Sequence, residues 1–232
     1  VLNKLIFWGE YLPNTIFISN SLSLILTIIW IVGIINSINW IDGLDGLAAG
    51  TSIISLLTLL ICNSSGLNLV NIFIITLIGS CIGFLKFNFY PAKIMMGDGG
   101  SYFIGFSLSF LSLIIFSQEI DIPENSIKQS FNLVVPIFIM LVPLLDMSKV
   151  IISRLLRGKS PFYPDRLHIH HRILNLSFSH PQTVNIIFLL SSISSIFGLY
   201  LFKDINLKLI LVPFFILLIY LLFISKKNIH KT

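Results

Sequence analysis

The chain has 232 residues, 55% of them hydrophobic and only 11% charged, with 20 Phe and a formal net charge of +5. Soluble domains carry about 25% charged residues, so a soluble globular protein is excluded. No aromatic-basic pattern of an RNA-binding fold accompanies the positive balance, and no nucleic-acid partner is expected.

In chain order, Leu2 to Asn20 contains Lys4, Glu10 and Pro13 and reads as a loop or interfacial segment. The first residue is Val1 rather than Met and no signal peptide is recognisable, so residues 1–232 are expected to be one membrane domain forming the C-terminal part of a longer protein. Charge-free or nearly charge-free runs follow at Leu22–Trp40, Leu47–Cys62, Leu67–Leu85, Ser101–Ser117, Phe131–Leu145, Val184–Phe202 and Leu209–Ser225. They predict an all-α polytopic membrane bundle of about seven transmembrane helices. Barrel strands alternate polar and apolar residues over about 10 positions, and these runs do not. Pro136, Pro143 and Pro213 fall inside spans, where neighbouring helices must satisfy the freed carbonyls. Cys62 and Cys81 have no metal or redox spacing and read as small packing residues. Gly79-Ser80-Cys81-Ile82-Gly83 is a small-xxx-small pattern, expected to be a helix-packing face.

Three polar segments interrupt this apolar chain. The first, at the end of the first run, is Asn36-Ser37-Ile38-Asn39-Trp40-Ile41-Asp42-Gly43-Leu44-Asp45-Gly46. Ionisable groups are expensive at a membrane edge and usually functional. Asp42 and Asp45 share a helix face if the helix continues, and line a tight loop if Gly43 breaks it. Such a pair can bind a divalent cation, accept protons or hold sugar hydroxyls; the bland alternative is that both cap the helix starting near Leu47. The second is Lys86-Phe87-Asn88-Phe89-Tyr90-Pro91-Ala92-Lys93-Ile94-Met95-Met96-Gly97-Asp98-Gly99-Gly100-Ser101. Its glycines allow close backbone approach just before a helix N-terminus, where free amides favour phosphate. Asp98 there suits magnesium bridging phosphate oxygens, or a plain N-cap.

The third runs from Arg154 to Arg172 and includes Asp165-Arg166-Leu167-His168-Ile169-His170-His171. Zinc is one reading, although helical zinc sites take His at i and i+4. The preferred reading is an anion site, with Arg and His donating to a diphosphate; an incidental basic loop is the alternative. Asp146 is expected to pair with Lys149 or Arg154, in a structural or functional role. His180 and His230 read as surface residues.

With seven spans, the loops after the first, third and fifth share one face with the C-terminal tail. Of the 15 Lys and Arg residues, only Lys4, Lys128, Lys203 and Lys208 fall on the other face. The positive-inside rule makes the richer face cytoplasmic, and all three polar segments lie there.

Together, Asn-x-x-Asn-x-Ile-Asp-Gly-Leu-Asp-Gly-Leu-Ala from Asn36, Met-Gly-Asp-x-Gly-Ser from Met96 and Asp-Arg-x-His-Ile-His-His from Asp165 resemble the polyprenyl-phosphate N-acetylhexosamine-1-phosphate transferase family. The His-Ile-His-His form is similar to the UDP-N-acetylglucosamine branch. The resemblance implies a magnesium-dependent enzyme, with manganese as a substitute, in the bacterial cytoplasmic membrane. It would transfer N-acetylglucosamine-1-phosphate from a UDP-N-acetylhexosamine to polyprenyl phosphate, releasing UMP for cell-envelope glycan synthesis; a homodimer is compatible with it. It further implies Asp98 as metal ligand and Asp42 and Asp45 as catalytic carboxylates. Asn39 and Asn88 would orient nucleotide or sugar, and Arg166, His168, His170 and His171 would grip the phosphates. The family's early adjacent Asp pair has no counterpart in this chain, and Met95 stands where relatives often have an aromatic residue. Two other classes compete: a non-catalytic truncated paralogue or membrane subunit, and a transporter. A transporter would place ionisable residues near the bilayer midplane, and the spans have essentially none.

Overall fold

The computed structural model describes residues 20–63, 68–118 and 134–203. Its helices are α1 (Asn20–Ile41), α2 (Leu47–Cys62), α3 (Leu69–Asn88), α4 (Gly97–Gln118), α5 (Leu141–Leu155), α6 (Ile169–Leu174) and α7 (His180–Lys203). A short helical stretch over residues 134–139 precedes α5, and no strand occurs among the described residues.

The elements start and stop where local chemistry dictates. Gly46 is the N-cap of α2 in the left-handed region at φ 76°, and no side chain caps that helix. A Cβ on Gly46 would lie 2.9 Å from the Phe89 ring, so this position demands glycine twice over. The capping alternative for Asp42 and Asp45 therefore falls away. At the opposite end of the bundle, the side chain of the α3 N-cap Asn68 accepts from the Asn71 amide at 2.9 Å. Asn63, after α2, donates its side-chain amide to Asn71 at 2.8 Å.

Helix α1 packs along α4 and α5, while α2 packs on α3 and α7. Gly105 makes the first contact close: a Cβ there would lie 2.7 Å from the Ile35 Cα. Gly50 likewise leaves room for the Phe188 ring. The larger core includes Ile34, Ile38, Leu56, Leu108, Phe116 and Ile139. A smaller cluster of Ile41, Leu47, Ala48, Val142, Ile169, Val184 and Ile187 lies at the end where the polar segments meet. Pro143 has no N–H to offer the carbonyl four residues back, and Ile139 O instead accepts from Ser55 and Ser195, each at 3.3 Å. One freed carbonyl thus joins α2 and α7 to the helical stretch that precedes α5.

Outward, the bundle presents Leu24, Ile28, Ile29, Ile72, Ile75, Ile82, Phe103, Phe106, Leu189 and Ile196. A belt this apolar belongs in lipid rather than water. Among the described residues, four helices are long and apolar enough to cross a membrane: Leu24–Ile41, Leu69–Asn88, Gly97–Phe116 and His180–Phe202. The protein is a multi-pass membrane helix bundle.

Span two is found as expected, as the 16-residue helix Leu47–Cys62, and two other spans need adjustment. Span five is divided at Met140, and its second part runs past Asp146 to Leu155, placing Asp146 on a helix rather than in a loop. Helix α4 starts at Gly97, so the glycines around Asp98 form its first turn instead of preceding it. The Gly79–Gly83 stripe faces outward, with no described atom within 4 Å of a Cβ at either glycine, so it is not a packing face among the described residues. The expected seventh span and all but the last residue of the N-terminal interfacial segment lie outside the described residues.

Candidate active site

Three helical hairpins bring the polar segments to one end of the bundle. The last turn of α1 carries Asn39, whose side-chain amide donates to Asp98 Oδ1 and to Ser101 Oγ, both at 3.0 Å. That one side chain ties the end of α1 to the start of α4. Asp98 is exposed in the first turn of α4, where the helix dipole favours negative charge. Asp42, just beyond α1, is half-buried. Burial and then the Asp98 charge push its carboxyl up to about 6. The negative charge of Asp98 beside Asp42 makes this a place that favours a cation.

Asp45 and Asn88 do different work. Asp45 Oδ2 accepts from the Ala92 amide at 2.9 Å, and the Asp45 amide donates to His180 Nε2 at 3.3 Å. Asn88 is buried; its side chain accepts from the Gly46 amide at 3.0 Å and donates to Ile94 O at 2.8 Å. These two residues fasten the first polar segment to the second. Between them opens a cleft lined by Asp42, Gly43, Leu44, Asp45, Asn88, Met95 and Met96.

The third segment closes the other side. Arg154, buried in the last turn of α5, pairs in a fork with Asp165 at 2.9 and 3.1 Å and also donates to Pro161 O. Burial raises the Asp165 carboxyl, but the hydrogen bond and charge of Arg154 outweigh it and hold that carboxyl below its ordinary value. The Arg154 guanidinium also lies over the Trp40 ring at 5.1 Å. Trp40 meets Phe162 and His168 edge-on at 6.4 and 5.9 Å. The first segment is thereby packed against the third.

The histidines are not equivalent. His168 Nδ1 lies 2.7 Å from Asp146 Oδ2, so Asp146 pairs with His168, while Arg154 is taken by Asp165. His170 is buried and packs so closely on Gly43 that a Cβ there would collide with its Nε2. Burial, then the neighbouring His171 charge, lowers its pKa to about 4, leaving it neutral at pH 7. His171 is shifted the same way, first by burial. Arg166 is exposed. His180 is no idle surface residue: it stacks on Tyr90 at 4.7 Å besides binding the Asp45 amide.

Sequence reasoning placed Trp40, Ser101, Arg154 and Asp165 in the polar segments of this end without giving any of them a role of its own, and it read His180 as a surface residue. His230 lies outside the described residues.

Residues 4–116 match the glycosyl transferase family 4 profile. Over 202 residues the chain is 42% identical to a Bacillus subtilis protein described as "Probable undecaprenyl-phosphate N-acetylglucosaminyl 1-phosphate transferase". That match takes in 87% of this chain and 54% of the relative. The chain is thus similar to glycosyl transferase family 4. A Mycobacterium leprae decaprenyl-phosphate N-acetylglucosaminephosphotransferase is 39% identical over 119 residues, 50% of this chain and 30% of the relative. A Haemophilus influenzae undecaprenyl-phosphate alpha-N-acetylglucosaminyl 1-phosphate transferase is 34% identical over 107 residues, 46% of this chain and 28% of the relative. The chain therefore spans about half the length of the first of these relatives, and the other matches cover less.

As a metal site, the Asp98 and Asp42 carboxylates are hard oxygen donors at the mouth. No group of three or more His, Cys, Asp or Glu gathers into a protein cage among the described residues. The donor set fits a cation such as magnesium, which keeps waters and takes phosphate oxygens besides one or two carboxylates.

Proposed function

We propose that the protein transfers N-acetylglucosamine-1-phosphate from UDP-N-acetylglucosamine to a polyprenyl phosphate at the cytoplasmic membrane face of a bacterium. The single observation that carries this reading is the junction of two carboxylates, Asp42 and Asp98, with a histidine-arginine loop through Gly43 and Trp40. Cation-binding and anion-binding groups then meet at the end of a membrane bundle, where a water-soluble nucleotide can reach a lipid phosphate. The names of the relatives support the same donor and acceptor classes.

In this reaction an oxygen of the lipid phosphate bonds to the β-phosphorus of the UDP-sugar. The bond from that phosphorus to the bridging oxygen breaks, and UMP leaves with that oxygen. Phosphoryl transfer of this kind needs in-line positioning and neutralised charge more than covalent help. Asp98, facing Asp42, would hold magnesium, with manganese as a substitute; when bound, the ion neutralises charge on the diphosphate. Asn39 fixes the Asp98 carboxylate, and Asp42, poised near pH 6, can hold or release a proton at the mouth. Asp45 and Asn88 keep the cleft walls in register, a positioning task. Arg166, His168 and His171 supply donors for the diphosphate, whereas buried, neutral His170 forms the packing between His168 and Gly43.

The test is UMP release from UDP-N-acetylglucosamine by the full-length protein in undecaprenyl-phosphate vesicles, with and without magnesium. Asp98→Asn is expected to lower magnesium-dependent release at least about 100-fold, the scale of losing one electrostatic contact to the reacting group. Undiminished release would remove Asp98 from the metal site.

A further inference from the structure

Asp146 lies outside the three polar motifs, on a helix, with 5% of its surface exposed. Both of its oxygens are engaged by the third segment. Oδ2 lies 2.7 Å from His168 Nδ1, and Oδ1 accepts the Ile169 backbone N–H at 2.6 Å. A carboxylate carries no proton of its own, so the proton in the first contact resides on Nδ1. The ring is held on its other sides by the edge contact with Trp40 and by a stack on His170 at 5.6 Å with 8° between planes. Among the described residues, His168 Nε2 has no hydrogen-bond partner. The second bond, to Ile169, fixes the start of α6 and hence the backbone that carries the ring.

We propose that Asp146 is a positioning residue: it locks His168 with Nδ1–H toward the carboxylate and a fixed ring plane, so that Nε2 is the atom that takes a second proton and, as an imidazolium N–H, donates to an anionic substrate oxygen. The identity of that anion, the diphosphate of the donor, rests on the function proposed above; the locked tautomer does not. The same logic governs histidine–carboxylate pairs generally, where the partner of one ring nitrogen decides what the other can do. When the ring takes a second proton against a phosphate, the Asp146 charge balances it. His170, His171 and Arg172 stand around that charge and feel it as well.

The experiment is nitrogen NMR of histidine-labelled protein in lipid nanodiscs at pH 8, with the His168 signals assigned by their loss in His168→Gln. A protonated Nδ1 and an unprotonated Nε2 are expected. Asp146→Asn keeps an oxygen for the Ile169 amide but turns an NH2 toward Nδ1. It is expected to reverse the tautomer and, by removing the charge that supports the imidazolium, to lower kcat/KM for UMP release up to about 100-fold, the scale of losing the carboxylate behind a site histidine. His168 protonated on Nε2 alone in the parent protein would overturn the proposal, and so would a reversed tautomer with unchanged kcat/KM. If the Asn variant does not fold, the parent spectrum alone decides the tautomer. A parent with the expected tautomer but no UMP release would leave the lock standing and overturn the functional reading instead.

Discussion

Asp42 and His170 flank the same glycine contact and resist charge in opposite senses. Burial and Asp98 raise the Asp42 carboxyl to about 6, and burial with His171 lowers His170 to about 4. The raised carboxyl contributes stability that is fully present below about pH 4 and is lost as pH climbs through about 6. The depressed imidazole contributes stability present above about pH 6.5 and lost as pH falls through about 4. The two slopes oppose one another across the same window. In magnesium-free buffer, Asp42→Asn is expected to raise Tm by a few degrees relative to the parent at pH 7.5, and that gain should fade by pH 4. His170→Gln should show a deficit at pH 7.5 that shrinks toward pH 4. Melting curves at the two pH values check both, and parallel curves for variant and parent would contradict the assigned environments.

At the scale of helices, the site depends on how closely α1 and α4 approach. Asn39 and Asp98 sit on these two helices, and Gly105 sets the separation further along the same contact. Gly105→Ala pushes a methyl against main chain, which cannot move aside as a flexible side chain would. The expected cost is about 1–3 kcal/mol, the usual penalty of overpacking, seen as a lower Tm and weaker UMP release. Gly79→Ala on the outward face of α3 meets open space among the described residues and gains helix propensity, so it is expected to leave Tm unchanged or slightly raised. Equal losses at the two glycines would refute this account of helix contact. Seeing which glycine matters requires knowing the partner backbone; the small-xxx-small pattern in the sequence pointed to the wrong one.

At the scale of the whole molecule, the polar ends of α1, α3 and α5 converge, and the opposite end carries the Asn63, Asn68 and Asn71 cluster. Native Cys62 and Cys81 are buried, so introduced cysteines can report sidedness. A membrane-impermeant maleimide applied to intact cells is expected to label Leu69→Cys. Lys93→Cys and Lys159→Cys should react only after the membrane is opened. The reverse pattern would invert the orientation and remove the site from the cytoplasm.

Much of the architecture was legible because it is written in local terms. A run of apolar residues long enough to cross a bilayer declares a helix wherever its neighbours lie, and the skew of Lys and Arg declares which ends group together. Asp42, Asp98 and His168 stood out for the same reason, as polar residues against an apolar background. Their partners did not, because a side-chain pair depends on distance in space. Asn39 and Asp98 are 59 residues apart, Asp146 and His168 are 22 apart, and the Asp45 amide meets His180 across 135 positions. Nor does sequence record that His170 is buried and neutral while Arg166, nearby in the chain, is exposed. By itself the sequence determined a membrane helix bundle with its chemistry at one end, because hydropathy and charge act locally. Only the tertiary structure decided which residues face the cleft and which hold it open, because burial and hydrogen bonding are properties of the packed chain.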